Sequence, residues 1–95
     1  VALKLIWSQL AIDDLYDIAN FIAKDSEDYA KIFVRKIVDQ VERIPDFPQL
    51  GRVVPEIQDE QVRERTYQNY RLIYRIKNES IEIVRIFHHG RQLNP

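Results

Sequence analysis

Two histidines lie side by side, His88 and His89, at the end of a stretch crowded with arginine. An imidazole is the side chain that most readily takes or gives a proton near neutrality. Within residues 60–95, Arg63, Arg65, Arg71, Arg75, Arg85 and Arg91 supply planar forks of donors that suit phosphate or carboxylate. Glu56, upstream of them, adds a carboxylate that can act as base. Glu56, Arg71, His88, His89 and Arg91, flanked by Arg63 and Arg65, together suffice to cleave RNA through its own 2′-hydroxyl. The carboxylate and an imidazole would exchange protons while the arginines stabilise the crowded phosphate. The same arginines would also serve a solvated sheet laced with cross-strand ion pairs, and Glu56 a solvated loop.

Other chemistries are excluded by residue type and spacing. Strand neighbours point to opposite faces, so His88 and His89 cannot chelate one metal in regular strand geometry, and no cysteine completes a set. With only Gly51 and Gly90 in the chain there is no glycine-rich phosphate loop. Ser8, Ser26 and Ser80 fall at caps or turns, which argues against a serine nucleophile. No metal and no cofactor are expected.

The net charge of −1 conceals an uneven distribution. Residues 1–59 hold 7 basic and 11 acidic side chains; residues 60–95 hold 7 basic and 4 acidic. The basic second part suits an anionic partner. At 95 residues and 45% hydrophobic, the chain forms one domain, residues 1–95, with enough apolar content for a core. It lacks disulfides, any run of ~20 apolar residues, and an N-terminus that reads as a signal peptide, so a cytoplasmic protein with no membrane contact is expected.

The elements that must position these residues follow from periodicity. Residues 2–7 read as a short strand. Ser8 can cap a first helix in which Ala11, Leu15, Ile18 and Ile22 form an apolar stripe, with Asp13, Asp14 and Asp17 turned outward. Ser26 can cap a second helix with Glu27 and Asp28 in its first turn and Ala30, Phe33, Val34, Ile37, Val41 and Ile44 as its stripe. Pro45 ends that helix, and residues 45–51 read as loop with Phe47 and Leu50 held at the core edge. After residue 60 the period changes from 3.6 to 2, giving strands over Val62–Tyr67, Tyr70–Lys77 and Ser80–His88. The expected fold is α+β, β-α-α-β-β-β, with helices near residues 8–23 and 27–44 packed on one face of an antiparallel sheet and the other face partly free. A two-residue turn at Asn78-Glu79 would set Arg75 opposite Glu82, as an exposed ion pair, and Ile76 opposite Ile81.

Four stretches, in order, resemble the RelE/ParE superfamily of toxins from type II toxin–antitoxin (plasmid stabilisation) modules. The first helix carries Ser8, Ala11, Asp14, Leu15, Ile18, Phe21 and Ile22. The exit of the second carries Ile44, Phe47-Pro48, Leu50-Gly51-Arg52 and then Val54-Pro55-Glu56. The central strand reads Asn69-Tyr70-Arg71-Leu72-Ile73-Tyr74-Arg75-Ile76, and the last runs from Ile81 to Arg91. The resemblance implies a toxin that arrests growth in the cytoplasm, with a cognate antitoxin as its protein partner. In the RelE-type branch such toxins are ribosome-dependent mRNA endonucleases. Residue by residue, that branch implies Arg71 and Arg91 as catalytic, one of its sub-branches adds Glu56 and His89 as the acid–base pair, and Arg63 and Arg65 match its RNA-binding basic residues; His88 is the alternate catalytic histidine. ParE-type members share the fold and inhibit DNA gyrase without cutting RNA. The chain has no tyrosine after Tyr74, where the RelE branch places a catalytic one, and arginines stand in for that branch's lysines. The helix pair, the helix exit, and His88 within Arg85-x-x-His88-x-x-Arg91 look more like ParE. The ribosome with its mRNA is therefore the first expected target, gyrase the alternative, and a small non-toxic nucleic-acid or protein-binding module the third possibility.

Overall fold

The computed structural model describes residues 3–89. In chain order they form β1 (Lys4–Trp7), α1 (Gln9–Ala23), α2 (Glu27–Glu42), two 3₁₀ turns (Ile44–Asp46 and Pro48–Leu50), β2 (Arg52–Val53), β3 (Val62–Tyr67), β4 (Tyr70–Ile76) and β5 (Ser80–His88). Both helices start where a serine can satisfy an orphan amide. Ser8 Oγ accepts from the Ala11 N–H, and Ser26 Oγ from the Tyr29 N–H. α2 stops at Glu42, two residues before the expected end. Pro45 has no N–H to continue the ladder, the Arg43 N–H turns back onto Gln40 and Val41, and a 3₁₀ turn takes over at Ile44.

The sheet is mixed, in the order β1-β5-β4-β3-β2. β2, β3, β4 and β5 pair antiparallel, but β1 lies parallel to β5, with Leu5 beside Ile81 and Trp7 beside Ile83. Hydrophobic period marks β1 as a strand and carries no information about its direction, so the wholly antiparallel sheet is corrected here. The helical hairpin packs on one face. Ala11, Ile18, Phe33, Ile37 and Val41 meet Leu72, Tyr74, Ile81, Ile83 and Ile86 in the main core. The opposite face is covered by the segment between β2 and β3, beneath which Val54, Val62, Ile73 and Phe87 form a second, smaller core.

The last hairpin has the expected register, with Lys77 donating to the Ser80 carbonyl, Arg75 opposite Glu82 and Ile76 opposite Ile81. The ion pair does not follow the register. Glu82 takes Lys77 at 3.3 Å, and Arg75 turns to Asp59 at 3.9 Å. Further along, β5 carries a bulge: Tyr74 pairs with Ile83 but Ile73 pairs with Arg85, leaving Val84 as the extra residue. Ser8 holds it in place, its amide donating to the Ile83 carbonyl and its hydroxyl to Val84 O at 2.8 Å.

Phe47 and Leu50 are 64% and 68% exposed, not held at the core edge. What fixes this segment is polar. The buried Tyr74 hydroxyl donates to Pro48 O at 2.6 Å and accepts from the Gly51 N–H at 3.1 Å. Tyr74→Phe removes both bonds and should cost about 1–3 kcal/mol. Burial raises the pKa of the Tyr74 phenol above its ordinary 10.0. A proton held more tightly in the folded state gives stability that is complete below about pH 10 and lost as pH rises through the folded pKa. Denaturation midpoints measured from pH 8 to 11 should fall at the alkaline end, and fall less in Tyr74→Phe.

No helix among the described residues is long and apolar enough to cross a membrane.

Candidate functional site

Strand alternation sorts the candidate residues onto two faces. On β4, Tyr70, Leu72 and Tyr74 face the helices, and Arg71 and Ile73 face the other way. Arg71 is 4% exposed. Its guanidinium meets Glu56 end-on, Nη1 and Nη2 each 2.8 Å from a carboxylate oxygen, while Nε lies 2.7 Å from Glu64 Oε1. The second oxygen of Glu64 accepts from Arg52 Nε. Glu64, 2% exposed on β3, is thus clamped between two guanidiniums, and the four side chains form a neutral cluster. The hydrogen bond to Glu56 is the foremost reason that the Arg71 guanidinium is held above its ordinary pKa. It is a permanent cation engaged by two carboxylates.

Arg63 and Arg65 of β3 pair with Tyr74 and Leu72 of β4, which puts them on the helix-bearing face, away from Arg71. Arg63 is used on backbone: Nε donates to Glu60 O and Nη1 to Gly51 O, each at 2.9 Å. His88 is also on the helix-bearing face, opposite Tyr70, and the two rings meet edge to face at 5.6 Å. The bulge at Val84 decides this. A regular β5 would set Ile86 opposite Arg71 and place His88 on the Arg71 face; the extra residue sets Phe87 there instead. His89 follows the end of β5, exposed, its amide bonded to the Asn69 carbonyl. Arg91 lies outside the described residues. The structure therefore brings Glu56 and Arg71 together, ties the His89 backbone to Asn69 just past the end of β5, and puts His88, Arg63 and Arg65 on the other sheet face. No group of three or more His, Asp or Glu side chains among the described residues could hold a metal.

Reasoning from sequence misses Glu64 and Arg52 as members of the Arg71 cluster. Parity was the available signal, because Glu64 shares its strand face with Val62, a core residue. Asp14, outward by helical period, instead seals the part of β5 that β1 does not cover. It accepts from Arg85 Nε at 2.8 Å, Arg85 Nη2 at 2.9 Å and the Ile86 amide at 2.9 Å. On the outer side of the hairpin, α1 and α2 leave a groove of about 710 Å³. Ala19, Ala23, Ala30, Val34 and Val38 line it, with charged residues such as Lys31 and Arg35 alongside.

This arrangement of a helical hairpin on a five-stranded mixed sheet is that of a known toxin class. The family model described as "ParE toxin of type II toxin-antitoxin system, parDE" matches residues 5–93. The chain belongs to that family, and it is a type II toxin of the RelE/ParE superfamily. Among solved structures, it is similar to a chain of the chromosomal ParDE toxin–antitoxin system from P. aeruginosa, at 26% identity and a TM-score of 0.78, covering 92% of this chain and 96% of that one. A chain of the RelBE2 toxin–antitoxin complex from Mycobacterium tuberculosis shares the fold, at 18% identity and a TM-score of 0.66, covering 93% of this chain and 99% of that one. No curated protein matches by sequence.

Proposed function

We propose that this toxin arrests growth by binding DNA gyrase rather than by cutting RNA. One observation carries the choice. The Arg71 guanidinium is buried between Glu56 and Glu64, while His88, Arg63 and Arg65 occupy the opposite sheet face. Proton transfer needs acid, base and phosphate-holding groups within ~3 Å of the reacting oxygens or one water away. A binding toxin has no such requirement, and its exposed side chains can act as docking contacts. The match to a ParE toxin model supports the same choice.

The mRNA endonuclease remains the second reading, because Glu56 does converge on Arg71 and the His89 amide, just past β5, bonds to Asn69, two residues from Arg71. In that reading Glu56 and His89 exchange protons while Arg71 and Arg91 hold the phosphate, with Arg63 and Arg65 contacting the RNA. The purified toxin is expected to stop supercoiling by gyrase and to leave mRNA on translating ribosomes intact. Cleaved mRNA with normal supercoiling would reverse the choice.

The partner that silences the toxin is an antitoxin with a segment that folds on binding. The groove between α1 and α2 suits an amphipathic helix, since its small and branched floor admits apolar side chains and its charged rims fix register. Val34→Glu places a charge on that floor without touching either core. It should weaken antitoxin binding at least about tenfold, or ~1.4 kcal/mol, in calorimetric titration, with the melting temperature little changed.

A further inference from the structure

A second recess, separate from the helical groove and from the Arg71 cluster, opens where α1 passes the end of β5. It measures about 250 Å³, and Asp17, Phe21, Tyr70 and His88 line it together with Ile18 and Ile86. Its volume is below the range that encloses drug-sized ligands. It fits the head of one side chain. Asp17 makes no ion pair among the described residues, and Phe21 is 68% exposed. Tyr70 and His88 form the opposing aromatic wall.

The same helix shows, one turn earlier, what this chemistry binds. Asp14 holds the Arg85 guanidinium in a two-pronged ion pair, and that guanidinium lies over the Phe87 ring, 4.3 Å from its centroid. Asp14, Asp17 and Phe21 fall three and four residues apart, on one stripe of α1. A carboxylate of α1 beside an aromatic ring thus occurs twice, filled from within by Arg85 where Asp14 stands near Phe87 of β5, and facing solvent where Asp17 stands near Phe21.

We infer that the Asp17–Phe21–Tyr70 recess is a receptor for an arginine side chain presented by a protein partner. A guanidinium meets both demands of the site. Its planar fork pairs with the Asp17 carboxylate, and its weakly hydrated face stacks on Phe21 or Tyr70. An ammonium is a compact, strongly hydrated charge that stays farther off: Lys24 Nζ lies 5.9 Å from the Phe21 centroid, against 4.3 Å for the Arg85 guanidinium and Phe87. A single such pocket binds weakly in isolation and acts as an anchor within a larger interface, a role in which arginine is enriched.

Titration of the ¹⁵N-labelled toxin with N-acetyl-arginine methylamide tests this directly. Amide shifts are expected at Asp17, Phe21, Tyr70 and His88, saturating at millimolar probe. The uncharged isostere N-acetyl-citrulline methylamide should leave them unmoved, and the lysine analogue should bind several-fold more weakly. Asp17→Asn, on an exposed helix position, should keep the fold and weaken the arginine probe about tenfold. Phe21→Ala should weaken it severalfold with the carboxylate intact. Equal shifts from citrulline, equal affinity for the lysine analogue, or unchanged binding in Asp17→Asn would overturn the assignment.

Discussion

Arg71→Ala is expected to lose ~3–5 kcal/mol of folding free energy, the penalty for removing one partner of a buried ion pair. Glu64 would be left 2% exposed, facing only Arg52, and Glu56 would lose the fork that ties its loop over the second core. Arg71→Lys keeps the charge but cannot reach both carboxylates with a planar fork, so it should fall between alanine and the native residue. Urea denaturation at pH 7 measures both. The size of the loss also governs how toxicity data are read: an Arg71→Ala toxin that no longer arrests growth is explained by unfolding before any lost contact with a target. Arg65→Ala, at a residue with no ion pair among those described, is the cleaner probe of target binding. A folded, cooperative Arg71→Ala protein within 1 kcal/mol of native would show the cluster to be far weaker than its burial implies.

Gly51→Ala should be nearly as damaging, and for a steric reason. Gly51 has ordinary extended geometry, so its backbone would accept any residue. Space is what fails. A Cβ there would lie inside contact distance of the Tyr74 hydroxyl and 2.8 Å from the Glu64 carbonyl oxygen. Tyr74 is fully buried and cannot swing away, so the new methyl must displace the strand or break the bonds linking Gly51 and Pro48 to Tyr74. Overpacking and lost hydrogen bonding together point to about 2–4 kcal/mol, or a melting temperature lower by roughly 10–20 °C. Coupling gives a sharper test. With Tyr74→Phe the clashing oxygen is gone, so the double variant should be more stable than the sum of the two single losses predicts.

Local features were the legible ones. Ser8 and Ser26 announced both helix starts because a cap acts over three residues, and the stripe from Ala30 to Val41 placed α2 against the sheet. Val62–Tyr67 and Ser80–His88 were bounded correctly by their period alone, and Asn78-Glu79 set the register of the last hairpin. What escaped depends on residues far apart in the chain. The parallel pairing of β1 with β5 joins residues some 76 positions apart, as in Lys4 with Ser80. The bulge at Val84 is fixed by a serine from the opposite end of the sequence. The candidate site was legible as a list of residue types and not as an arrangement. Glu56 and Arg71 do meet, but the two carboxylates around Arg71 and the one-residue slip that turns His88 away are tertiary facts.

The parallel pairing also sets an order of events during synthesis. β5 lies between β1 and β4, so β1 has no sheet partner until residues 80–83 have been made. Ser8, which starts α1, likewise waits for Ile83 and Val84 before its amide and hydroxyl find their acceptors. Contacts of such sequence separation form late and carry a large loop-closure penalty. A nascent chain that stops short of residue 80 therefore has a helical hairpin and a partial sheet but no closed core. The sheet edge beside α1 is therefore among the last parts of the molecule to be completed, whatever the state of the helical hairpin before it.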